Sequence, residues 1–112
     1  MTYRTIVAGT DGSETAGLAV DQAIDLAAAG DARLVIVTAF RQEHDRDAND
    51  RVPEDVRWML TDRNAAEAHA RRGREKATEI GVRDVVVQAL EGDAAEMLIE
   101  TADDFNADLI VV

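Results

Sequence analysis

At 112 residues, 46% of them hydrophobic, the chain has room for one folded domain with a real core and none for a second. A formal net charge of -11, from 23 acidic against 12 basic residues, repels phosphate backbones and argues against nucleic acid as a partner. The lack of cysteine excludes disulfides, thiolate metal sites and cysteine nucleophiles, and no apolar run is long enough to span a bilayer.

The N-terminus leads straight into a strand-like segment rather than a signal peptide, so the expected location is the cytoplasm. Arg4 to Gly9 reads as a short buried strand, followed by the turn Thr10-Asp11-Gly12-Ser13. Ser13 suits a helix N-cap, and Glu14 then sits where the helix dipole favours a carboxylate. Ala16, Val20, Ala23, Ile24 and Ala27 recur at helical spacing, and Gly30 is expected to close this first helix. Leu34 to Val37 is a continuous apolar run, which suits a strand buried on both faces, and Thr38-Ala39-Phe40 finishes it. The stretch from Arg41 to Arg51 holds a single apolar residue, Ala48, and reads as an exposed loop.

Pro53 can start the next helix. Met59, Ala66, Ala70, Gly73, Ala77 and Ile80 mark one stripe on it, with a break expected near Thr61-Asp62 and an end at Gly81. Val85 to Leu90 forms the third strand, and Glu91-Gly92 turns the chain. Asp93 with Glu96 three residues later has the pattern of a capping box. Ala95, Leu98, Ala102 and Phe105 give a third amphipathic helix, and Asp108 to Val112 opens a fourth strand. Strands alternating with helices predict an α/β fold: one domain over residues 1–112, a parallel twisted sheet with helices on both faces. Ligands in such folds sit at the carboxyl edge of the sheet, where the strand order reverses.

The turn after the first strand is therefore the first place to look for a site. Gly9 and Gly12 flank Thr10 and Asp11, and Asp11 can accept from a ribose hydroxyl or an adenine amino group. A turn Asp satisfying its own backbone is the competing reading. The segment Ile6-Val7-Ala8-Gly9-Thr10-Asp11-Gly12-Ser13-Glu14 resembles the opening of the universal stress protein family. Gly92-Asp93-Ala94-Ala95-Glu96-Met97-Leu98-Ile99, followed by Ala107-Asp108-Leu109-Ile110-Val111-Val112, resembles that family's second half. The resemblance covers nearly the whole chain and implies a Rossmann-like fold of the universal stress protein type. It also implies an adenine nucleotide, ATP or AMP, with magnesium beside a triphosphate. It would place nucleotide contacts on Gly9, Thr10, Asp11 and Gly12, on the backbone of Ala39 and on Val112.

The family's nucleotide-binding members continue after the fourth strand with a glycine-rich phosphate loop and a fifth strand. Neither is present up to Val112, so a longer chain is expected, one that an intact mass of 12.2 kDa would refute. The family also implies a homodimer. It leaves open a second reading, a homodimeric interaction module that binds no nucleotide, and a weaker third, a small phosphatase or ligase-type enzyme. No catalytic residue stands out, and slow ATP hydrolysis is the most this reading allows. His44 lies among Glu43, Asp45, Asp47 and Asp50 without a recognised metal spacing. His69 is expected at a helix surface. Ser13, the only serine, is better explained as a cap than as a nucleophile. Trp58 and Met59 are expected in the core or at a partner surface. Eleven of the twelve basic residues are Arg, and with the acidity and abundant Ala this resembles proteins of salt-loving archaea. A GC-rich genome gives the same bias.

Overall fold

The computed structural model describes residues 3–10, 14–40 and 62–112. The elements alternate as the sequence predicts: β1 (Thr5–Gly9), α1 (Glu14–Gly30), β2 (Arg33–Phe40), α2 (Asp62–Ile80), β3 (Val85–Glu91), α3 (Ala94–Phe105) and β4 (Leu109–Val111). Arg41 to Arg51, His44, Pro53, Trp58, Met59 and the stretch before Asp62 lie outside the described residues.

All strand pairs are parallel, in the order β3-β2-β1-β4. The chain steps outward from β1 to β2 to β3, then crosses back over both to place β4 on the other side of β1. Even-numbered residues of β1 and β2 (Ile6, Ala8, Leu34, Ile36) face α1 and α2, joining Val20, Ala23, Ile24, Ala27 and Ala77 in one core layer. Odd-numbered residues (Val7, Val35, Val37) face α3 and meet Met97, Leu98, Ala102 and Phe105. Both faces of the central strands are thus covered, which is why their sequences run apolar without alternation.

The helix ends show where local chemistry acts. Asp93 caps α3, its carboxylate accepting from the Glu96 backbone N–H at 3.2 Å. At the end of α2, Gly81 takes φ +115°, and Val82 donates back to Ala77 O at 3.0 Å. That is the left-handed exit that glycine makes inexpensive. α1 ends at Gly30, as the sequence predicts, but the left-handed residue is the one after it. Gly30 remains helical, and Asp31 carries the positive φ of 52°. Asp tolerates that conformation better than most side chains.

Two apolar positions also depart from their predicted stripes. Ile80 is 49% exposed because the chain turns at Gly81, and Val82 takes the core position instead. Ala95 is exposed in the first turn of α3, whose inward face runs through Met97, Leu98, Thr101, Ala102 and Phe105. Gly73 lets α2 lie close on the sheet, since a Cβ there would stand 2.9 Å from Ile36 Cδ1. No helix among the described residues is long and apolar enough to cross a membrane.

Candidate functional site at the carboxyl edge

The strand order reverses between β1 and β4, and the crevice above their carboxyl ends is the position where such sheets hold ligands. β1 ends there at Gly9. The next residue, Thr10, donates its backbone N–H to Val37 O at 3.0 Å, the last link between β1 and β2. On the other side of β1, β4 pairs Ala8 with Val111. One residue on, Val112 stands level with Gly9, and it is 82% exposed.

β2 outruns β1. Its pairing with β1 stops at Val37, yet it continues through Thr38, Ala39 and Phe40, held on its other side by β3. Three further residues extend the strand by about 10 Å. In a parallel ladder successive residues direct their N–H and C=O groups to opposite neighbours. Val37 O accepts from Thr10 on the β1 side, and Phe40 O accepts from Gly92 at 2.8 Å on the β3 side. Ala39 therefore directs both its N–H and its C=O to the β1 side, two residues beyond the last β1–β2 pair, Gly9 with Val37. A hydrogen-bond donor and an acceptor are thus fixed on the strand edge that faces the Thr10 side.

Of the site residues expected from sequence, Gly9, Thr10, Ala39 and Val112 come together at this edge. Asp11 and Gly12 lie outside the described residues. Gly9 has a reason for being glycine that the sequence does not reveal: a Cβ there would lie 3.0 Å from Leu98 Cδ2, so its bare α-carbon makes room for α3. Asp108 sets the edge from the opposite end. Its carboxylate accepts from the Arg4 backbone N–H at 2.6 Å, and its own N–H donates to Thr5 O at 2.9 Å. These bonds fix the start of β4 against the start of β1, and so fix where Val112 emerges. Asp108 stood in a recognisable motif, but only the pairing shows what it does.

Nearby, α2 flanks the end of β2, with Arg63 lying over the Phe40 ring at 5.9 Å and paired to Glu67 at 3.4 Å. Among the described residues no group of three His, Asp or Glu side chains could hold a metal ion.

A parallel sheet with an open carboxyl edge at a strand-order reversal defines the Rossmann-like class of α/β domains. Within it, the sequence profile of the universal stress protein family matches residues 2–112, and the chain belongs to that family. Universal stress proteins from two strains of Mycobacterium tuberculosis are 32% identical to it over 110 residues, covering 98% of this chain and 75% of theirs. A universal stress protein solved in complex with cAMP superposes with a TM-score of 0.71 at 31% identity, over 98% of this chain and 71% of that one. A family member from Burkholderia pseudomallei superposes with a TM-score of 0.76 at 28% identity, over 96% and 79%.

Proposed function

We propose that this domain binds an adenine nucleotide, ATP or AMP, at the carboxyl edge of its sheet, and acts as a sensor or regulator in a stress response rather than as a fast catalyst. The observation that carries this reading is the Ala39 backbone. Its N–H and C=O offer the donor and acceptor that a purine edge needs, beside the glycine-flanked turn that bears Asp11. A relative at 31% identity was solved in complex with cAMP, which supports nucleotide binding by this chain. In this reading Asp11 accepts from the ribose or base, Val112 packs on the base, and Gly9 to Gly12 give the backbone close approach. A magnesium ion would ride on a triphosphate's oxygens. The phosphate end needs backbone N–H donors of the glycine-loop kind.

Calorimetric titration of magnesium ATP, AMP and cAMP in molar KCl tests it, with micromolar binding of at least one expected. Absence of binding to all three would leave the homodimeric interaction module as the reading. Within a binding protein, Asp11→Ala should weaken affinity by about 1–3 kcal/mol, the usual cost of losing a charge-assisted bond. Ala39→Pro removes the N–H on the β1 side and none from the β2–β3 ladder. It should weaken binding by about 1 kcal/mol, whereas Ala39→Val, which keeps the backbone, should not.

A further inference from the structure

Beyond the sheet edge, the described residues line a cleft of about 670 Å³ between α1 and α2, which reaches the edge itself at Thr10. That is within the range of small-molecule sites. α1 and α3 contain no Arg, Lys or His, whereas α2 carries Arg63, His69, Arg71, Arg72, Arg74 and Lys76. His69, Arg72 and Lys76 line the cleft. A guanidinium only donates, so the contact between Arg72 Nη2 and His69 Nδ1 makes the imidazole the acceptor and orients the guanidinium. Lys76 Nζ is held by Asp21 at 2.5 Å, one turn of α2 beyond Arg72.

The cleft also has an apolar part. Val20 is buried beneath it, and Leu18 is 63% exposed at its rim, a large apolar side chain without a cover. Gly17 opens the wall between them, since a Cβ there would meet nothing within 4 Å. Glu75 and Glu79 lie on the lining as well, so a bare anion meets both signs of charge. A ligand must gain from the apolar wall and the cations together.

We propose that this cleft, which adjoins the sheet edge at Thr10 but is built on α1 and α2, is a second binding site for a small amphiphilic anion: a carboxylate or phosphate monoester head on Arg72 and Lys76, with an apolar body against Leu18, Val20 and the bare wall at Gly17. The arrangement supplies a charge-assisted donor pair one helical turn apart and an apolar floor whose burial rewards a hydrocarbon or aryl group.

The test uses phenyl phosphate as probe, with inorganic phosphate and benzyl alcohol as comparators, in titrations of the full chain followed by backbone amide NMR. Phenyl phosphate is expected to shift amides of α1 and α2, and to bind at least about tenfold more tightly than either comparator. Gly17→Leu projects a side chain into the cleft and should abolish binding with no fall in melting temperature. Arg72→Gln/Lys76→Gln should weaken phenyl phosphate at least about tenfold and leave benzyl alcohol unchanged. Equal affinity in wild type and both variants, or no α1 and α2 shifts with the wild type, overturns the proposal. Asp11→Ala should not affect this probe, so failure of the nucleotide reading and failure of this one are read separately.

Discussion

The two faces of the sheet are built from alternate residues of the same strands, and they are finished differently. On the α1/α2 face, Ile6, Ala8, Leu34 and Ile36 are fully buried under two helices, and the cover extends to Ala66, Ala70 and Ala77. On the α3 face, Val7, Val35 and Val37 are equally buried at the centre. Their surround, however, is only half-buried: Val86 and Leu90 on β3, and Met97, Leu98 and Phe105 on α3. Among the described residues one helix, α3, lies on that face, and Ile99 and Ile110 are exposed. Among the described residues, the same strands thus meet two helices on one side and one on the other, and on both sides the outer strands β3 and β4 are only partly buried.

The largest effect expected from this contrast is that of Ile36→Ala, which should cost about 2–5 kcal/mol in urea unfolding. Leu98→Ala, on the partial face, should cost clearly less. Equal losses would mean that the α3 face is as fully packed in solution as its counterpart, and the comparison would break.

Next comes the cap of the one helix that covers this face. Asp93→Ala removes the acceptor for the Glu96 N–H and should cost about 1 kcal/mol, read as faster hydrogen exchange through the first turn of α3. A rise in exchange confined to α2 would contradict it.

A smaller effect sharpens the finished face. Gly73→Ala gains about 1 kcal/mol in helix propensity but presses on Ile36 Cδ1, so in the native background it should be neutral or mildly destabilising. In an Ile36→Val background, which deletes that methyl, the same change should stabilise by about 0.5–1 kcal/mol. The absence of such coupling would show that α2 does not sit on Ile36 as closely as described.

The least effect per site is electrostatic. Residues 93–105 carry Asp93, Glu96, Glu100, Asp103 and Asp104 with no cation, whereas α2 mixes both signs. Rising KCl should therefore raise the melting temperature and protect α3 amides more than those of α2, because it screens like charges. A flat response would leave the acidity a matter of codon usage alone.

Legibility followed range along the chain. The strand cores, the Asp93 cap and the Gly81 exit could be read because each depends on residues within about a turn of one another. The misplacements at Ile80 and Ala95 fall in the last and first turns of their helices, where periodicity does not say which residue the neighbouring layer reaches. The site was legible in part: Gly9, Thr10, Ala39 and Val112 meet at one edge, whereas nothing local marked Asp108 as the residue that fixes β4 or Gly9 as the seat of Leu98.

The sequence by itself determined the kind and order of the elements, the parallel character of the sheet and the family, since hydrophobic period, caps and motifs are properties of neighbouring residues. Only the tertiary structure decided the order β3-β2-β1-β4, which described helix lies on which face, the cleft between α1 and α2, and the reach of β2 beyond its pairing with β1. Each of these depends on which strand lies next to which and where it stops. A backbone N–H points to one neighbour or the other according to register, and no side chain in the sequence records that.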